Sequence, residues 1–250
     1  MKRTLTLLGV GVLTSIVLST PVIASEVLTE LDSNATVNFV QDAEVQPVLD
    51  PEELEALPEE EIPDGTVNDN PGLLTLDYVS NISFGEQAIS ATEKTYNSTT
   101  LQPFIQITDI RGTGEGWSVR AQIDEFSKVN GDGTIDEEAF LKGATITFNG
   151  GDVATNGNGV SPQLLGLPGD PIVLSTDETS TQVVSADQNE GMGTWVTRWL
   201  AEEGSQENQK IKLTLPPGTA TTDTYTATIT WSLTSGPIAE ETPEQAAATE

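Results

Sequence analysis

The sequence predicts an all-β fold: an antiparallel β-sandwich or barrel-like sheet with long loops and at most short helices. Three observations carry this. First, Tyr225, Ala227, Ile229, Trp231 and Leu233 alternate with Thr224, Thr226, Thr228, Thr230 and Ser232. This is a period-2 pattern with one face buried and one wet. Second, short apolar runs recur between Gly, Asn, Asp and Pro from Leu73 to Pro237, the texture of a turn-rich β domain. Third, helical periodicity is scarce; Met192–Leu200 and Asp136–Leu141 are the modest helix candidates.

Residues 1–24 read as a secretory signal. Lys2 and Arg3 precede an apolar run from Leu5 to Leu18, and Val22-Ile23-Ala24 offers a cleavage site after Ala24. Residues 25–40 form an N-terminal arm in which Asn34–Val40 (N-A-T-V-N-F-V) reads as one strand, with Val37 and Phe39 on one face. Residues 41–72 follow as an acidic, Pro-containing stretch. From Glu26 to Asp64 there are thirteen carboxylates and no Lys or Arg. Repulsion and proline stiffness favour an extended connector with a short helix at Glu52–Leu57 capped by Asp50; the other reading is an acidic loop within one domain. Residues 73–237 are the β domain. Its predicted strands are Leu73–Tyr78, Phe104–Ile110, Gly116–Ile123, Ala144–Phe148, Thr181–Val184, Lys210–Leu215 and Thr224–Leu233. Residues 238–250, polar and rich in Ala and Glu, read as a disordered tail.

The composition excludes much chemistry. The 250 residues contain no Cys and no His, so disulfides, thiolate metal sites, thiol nucleophiles and imidazole-based catalysis are all absent. Ten basic residues face 39 acidic ones, a net charge of −29. Loss of residues 1–24 would leave 8 basic and 39 acidic residues, a net −31. Such a chain repels nucleic acid and anionic membrane surfaces. No second apolar stretch is long enough to span a bilayer, and no hydrophobic tail or sorting signal closes the sequence. Carboxylate pairs remain the one enzymatic route, and nothing in the spacing of 39 acids selects two. The expectation is a protein that is not an enzyme and needs no cofactor.

Two features qualify as candidate sites. Lys128-Val-Asn-Gly-Asp-Gly-Thr-Ile-Asp-Glu-Glu-Ala-Phe140 approximates a helix-loop-helix calcium loop. Gly133 fits the turn position, and Asn130, Asp132 and Asp136 fit ligand positions. Lys128 and Ala139 occupy the two positions where strong carboxylate ligands belong, so no metal site is assigned; a turn between strands is the competing reading. The second feature is the pair Trp117-Ser118-Val119 and Trp231-Ser232-Leu233. Each Trp shares a sheet face with the aliphatic residue two positions on. Trp117, Val119, Trp231 and Leu233 are then either core or a platform for ligand or wall binding, and period-2 logic does not say which.

Around these motifs the chain resembles the small WxL-domain cell-surface proteins of low-GC Gram-positive bacteria. The resemblance rests on Tyr225 and Thr230-Trp231-Ser232-Leu233 with Gly236-Pro237. It also rests on Phe84-Gly85, Pro103–Asp109 before Arg111-Gly112-Thr113-Gly114, and Pro217-Gly218-Thr219. It covers roughly residues 34–237. Val119 departs from the usual Leu but keeps the aliphatic character. The resemblance implies non-covalent attachment to the cell wall through peptidoglycan, and association with membrane-anchored WxL-interacting proteins in a surface complex. The alternative is a protein–protein interaction subunit held at the surface by such a partner, without direct wall binding. Export and the acidic, all-β character are read from the residues; the wall target comes from the resemblance.

Overall fold

The computed structural model describes residues 33–176 and 180–236. The expected signal (1–24) and tail (238–250) lie outside the described residues. In chain order the strands are Gly65–Val67 (β1), Leu74–Ser80 (β2), Lys94–Ser98 (β3), Phe104–Asp109 (β4), Trp117–Ile123 (β5), Ser127–Val129 (β6), Ile135–Phe140 (β7) and Thr145–Phe148 (β8). They continue as Asp152–Ala154 (β9), Gln163–Leu164 (β10), Ile172–Ser175 (β11), Thr181–Ala186 (β12), Gly193–Arg198 (β13), Asn208–Leu215 (β14), Thr224–Thr226 (β15) and Ile229–Ser235 (β16). Every pairing is antiparallel, and the sheets are β1-β2-β4-β13-β9, β10-β12-β5-β16, β11-β8-β14-β3 and β15-β6-β7. The protein is therefore all-β, and among the described residues no sheet closes into a barrel. A single turn of 3-10 helix occurs at Glu59–Glu61. Among the described residues no helix is long and apolar enough to cross a membrane.

The β5 sheet is the centre of the packing. Trp117, Val119, Ala121 and Ile123 lie on one face of β5, as period 2 requires. Trp117 and Val119, with Val184 and Ala186 of β12, pack on Ile105 and Ile107 of β4 and Trp195 of β13. Ala121 and Ile123 instead pack on the β8 sheet, through Ile146, Phe148, Ile211 and Leu213. One sheet thus covers two others, side by side.

The other face of the five-stranded sheet is covered by the acidic stretch. Val48 and Leu49 are buried against Tyr78, Phe104 and Val196, with Leu54, Leu57 and Ile62 packed around them. Residues 41–72 are thus not a free connector over this span: the chain crosses the sheet as a strap and ends in β1, which pairs with β2. The expected helix at Glu52–Leu57 is a turn. Asp50 does cap it, its Oδ1 accepting the amides of Glu52 and Glu53 at 2.7 and 2.8 Å. Leu54 then takes φ +59, which ends any helix and sends the chain back to bridge Leu49 with Ala56. Carboxylates point to water while the apolar residues between them face the sheet.

Three further expectations need correction. Met192–Leu200 contains β13, and Asp136–Leu141 falls largely within β7; neither is helical. The arm Asn34–Val40 forms no strand, and Val37 and Phe39 are exposed. The alternating run Thr224–Leu233 is two strands: β15 pairs with β6, and β16 pairs with β5.

Candidate functional site

The two Trp motifs lie on adjacent strands. β5 and β16 run antiparallel in unbroken register, with Leu233 opposite Val119, Trp231 opposite Ala121 and Ser235 opposite Trp117. All four candidate residues therefore share the inner face of one sheet, and the small Ala121 leaves room beside the Trp231 indole. Their environments differ. Trp117 and Val119 are 0% exposed, whereas Trp231 and Leu233 are half-buried, because β16 is the edge of its sheet.

The Trp117 site is fully built. Its Nε1–H donates to the Gly191 carbonyl at 3.0 Å. Gly191 has φ +66, and a Cβ there would lie 2.6 Å from that nitrogen, so the close approach requires glycine. Gly116, before the Trp, has φ +74 and would place a Cβ 2.2 Å from the Ala186 carbonyl. Trp231 is held more loosely, edge-on to Phe148 with ring centroids 6.1 Å apart. Trp117 is therefore core, and Trp231 is a core residue with one side uncovered.

Arg111 ties the loop before β5 to the end of β16. Its guanidinium takes the buried Asp109 carboxylate two-pronged, through Nε at 3.0 Å and Nη2 at 2.7 Å. It also donates to the Gly116 carbonyl at 2.7 Å and to Ser235 Oγ at 2.5 Å. The Asp109 pairing stabilises the charged guanidinium and raises its pKa further. Such a planar fork suits arginine and not lysine.

Composition gave no sign of a polar cluster beneath the strap. Asp77 is a bulge residue of β2 and is 3% exposed. Thr108 and Thr75 donate hydroxyls to it at 2.6 and 2.5 Å, and Gln106 Nε2 donates at 3.1 Å. Burial pushes its carboxyl above the ordinary 3.8, against the pull of those hydrogen bonds. Gln106 also holds the strap: its Oε1 accepts the Leu49 amide at 2.8 Å and its Nε2 donates to the Pro47 carbonyl at 2.9 Å. A buried Gln side chain here does the work of a peptide group in a strand ladder.

The calcium-like segment is the β6–β7 hairpin. Lys128 pairs with Asp223 at 3.0 Å. Asp132 accepts the Thr134 amide and hydroxyl at 3.0 and 2.7 Å, which lowers its pKa. These groups bond to one another as a turn does. Among the described residues no three acidic side chains converge in a metal-binding geometry. Elsewhere, a shallow depression of 280 Å³ is lined by Asp64, Asn81, Ser83, Thr100, Leu101 and Gln102, among others.

The family model described as "WxL domain surface cell wall-binding" matches residues 26–237. The chain belongs to the WxL domain family. The match spans most of the sequence and includes both Trp motifs, the Arg111 loop and the strap. The family is a surface, cell-wall-binding one and not an enzyme family. Neither the curated proteins nor the solved structures gave a significant match.

Proposed function

We propose that this WxL domain is exported and held without a covalent link on the peptidoglycan of a Gram-positive wall, as one member of a surface complex with membrane-anchored partners. It acts by binding and carries out no catalysis. The observation that carries this reading is the family match over residues 26–237, with the signal-like segment at 1–24 in support. In this reading Trp117 and Val119 serve the core, since no ligand reaches side chains that are 0% exposed. The wall contact is assigned to the depression beside Asn81. Its hydroxyls, amides and carboxylate, with Leu101 as an apolar lining residue, match the mixed character of a sugar ring.

Charge sets the conditions. Peptidoglycan carboxylates and teichoic acids are anionic, as is the chain at −29, so binding rests on short-range contacts and strengthens as salt screens repulsion beyond about 8 Å. The test is co-sedimentation of the chain from residue 25 with purified peptidoglycan across salt and divalent-cation concentrations. Retention that rises with salt and falls in Gln102→Ala and Leu101→Ser supports the reading. No retention in any condition refutes wall binding, and capture by a membrane-anchored partner would then favour the interaction-subunit alternative.

A further inference from the structure

Sheet edges are sites of unwanted pairing, and proteins protect them with charge, proline, bulges or short length. Among the described residues, the sheet edges follow that rule with one exception. β1, β10 and β15 are two or three residues long. β9 carries Asp152, β3 carries Lys94, β7 carries Asp136, Glu137 and Glu138, and β11 starts behind Pro171. β16 is seven residues long and pairs with β5 without a bulge. No charged residue and no proline occur from Thr224 to Gly236, in a chain whose residues are 20% charged.

We propose that this edge is a self-association surface, and that its occupant is β16 of a second copy of the chain. The backbone directions fix how the two strands meet. The Asp124 amide donates to the Thr228 carbonyl, and the Gly236 amide to the Gly116 carbonyl, both at 3.0 Å. The even-numbered residues of β16 therefore bond to β5, and the amides and carbonyls of Ile229, Trp231, Leu233 and Ser235 point off the sheet. An antiparallel pair around a two-fold axis through Ser232 sets Trp231 opposite the second copy's Leu233, and Leu233 opposite its Trp231. Ile229 meets the second copy's Ser235. About eight backbone hydrogen bonds form, with the Ser232 residues as a close, non-hydrogen-bonded pair about 4.5 Å apart at Cα.

This arrangement accounts for the spacing of the distal motif. Trp and Leu two residues apart, with a small residue on the axis, are self-complementary, and each covers the side of the other that β16 leaves half-exposed. Charge permits a like partner at this place, because two copies of net −29 can approach along a strand that itself carries no carboxylate, and Glu115 near its end is paired with Arg111. Single-strand pairing buries less than a standard interface, so the affinity is micromolar and rises with salt.

Sedimentation velocity across the micromolar range tests this, alongside engineered thiols in a chain that has none of its own. The chain from residue 25 should form dimers, more so at high salt. Ser232→Cys should link into disulfide dimers under mild oxidation, Thr230→Cys alone should not, and Ser232→Lys should give monomers with an unchanged melting temperature. A chain that stays monomeric while Ser232→Cys links no faster than Thr230→Cys overturns the proposal and leaves the edge to a strand of another protein. A dimer that survives Ser232→Lys overturns it as well. No wall material enters either measurement, so self-association and wall binding stand or fall separately.

Discussion

Truncating the two motif tryptophans should give unequal losses. A Trp side chain buries about 200 Å² when fully covered, worth about 5 kcal/mol at about 25 cal/mol/Å². Trp117 is 0% exposed, so Trp117→Ala removes that whole sum and leaves a cavity among Ile105, Ile107 and Trp195. It also strips the Gly191 carbonyl of its donor, about 1 kcal/mol more. Trp231 is half-buried and its indole N–H has no hydrogen-bond acceptor among the described residues, so Trp231→Ala costs about 2 kcal/mol. The assay is urea unfolding followed by far-UV circular dichroism, at protein concentrations too low for self-association. With a denaturant slope of about 2.5 kcal/mol/M, the midpoint falls by about 2.4 M for Trp117→Ala and by about 0.8 M for Trp231→Ala. Equal shifts, or a larger one for Trp231→Ala, would show that the half-covered indole is the true keystone and refute the assignment.

Other perturbations probe the supports. Gly191→Ala should cost about 2–4 kcal/mol in the same assay, from a left-handed backbone and a Cβ forced onto the Trp117 ring. Gln106→Ala should abolish the protection of the Leu49 amide in hydrogen exchange, because Oε1 is its acceptor; unchanged protection would show that the strap holds without it. Asp77 has a raised pKa in the folded state, so its contribution is fullest below the ordinary 3.8 and is lost as pH rises through the folded value. Asp77→Asn should flatten that part of the stability–pH curve, and an unaltered slope would assign the titration elsewhere. Calcium should not shift the melting temperature, because Lys128 is paired with Asp223 where a ligand would be needed; a clear upward shift would revive the calcium-loop reading.

Strands rich in β-formers or alternating cleanly were legible in the sequence, among them β4, which is buried throughout; the central β13 was not. β14 alternates cleanly, as does the run ending in β16. β13 is central, with Trp195 facing one cluster and Val196 the strap. Apolar residues fall on both of its faces and no alternation marks the strand, so Met192–Leu200 reads as a helix candidate. The alternation from Thr224 to Leu233 survives a change of sheet at Ala227-Thr228, because the inner face stays inner; periodicity shows which side is buried and says nothing of the neighbour. In the strap, thirteen carboxylates from Glu26 to Asp64 masked Val48 and Leu49, two residues whose burial depends on a sheet far along the chain. The partner of the strap, Gln106, has no local signature: an uncharged amide amid β-formers matters only when Pro47 and Leu49 are brought over it. The motif residues were found, but the difference between Trp117 and Trp231 came from strand order, which local sequence does not encode.

The strap also decides where this protein can be cut. Expression that began at residue 73, where the β texture starts, would uncover Tyr78, Phe104 and Val196 and open the Asp77 pocket to solvent on a face shaped to be roofed. Such a fragment would be sticky and short-lived however carefully its remaining strands were preserved. The smallest workable piece starts upstream of Pro47.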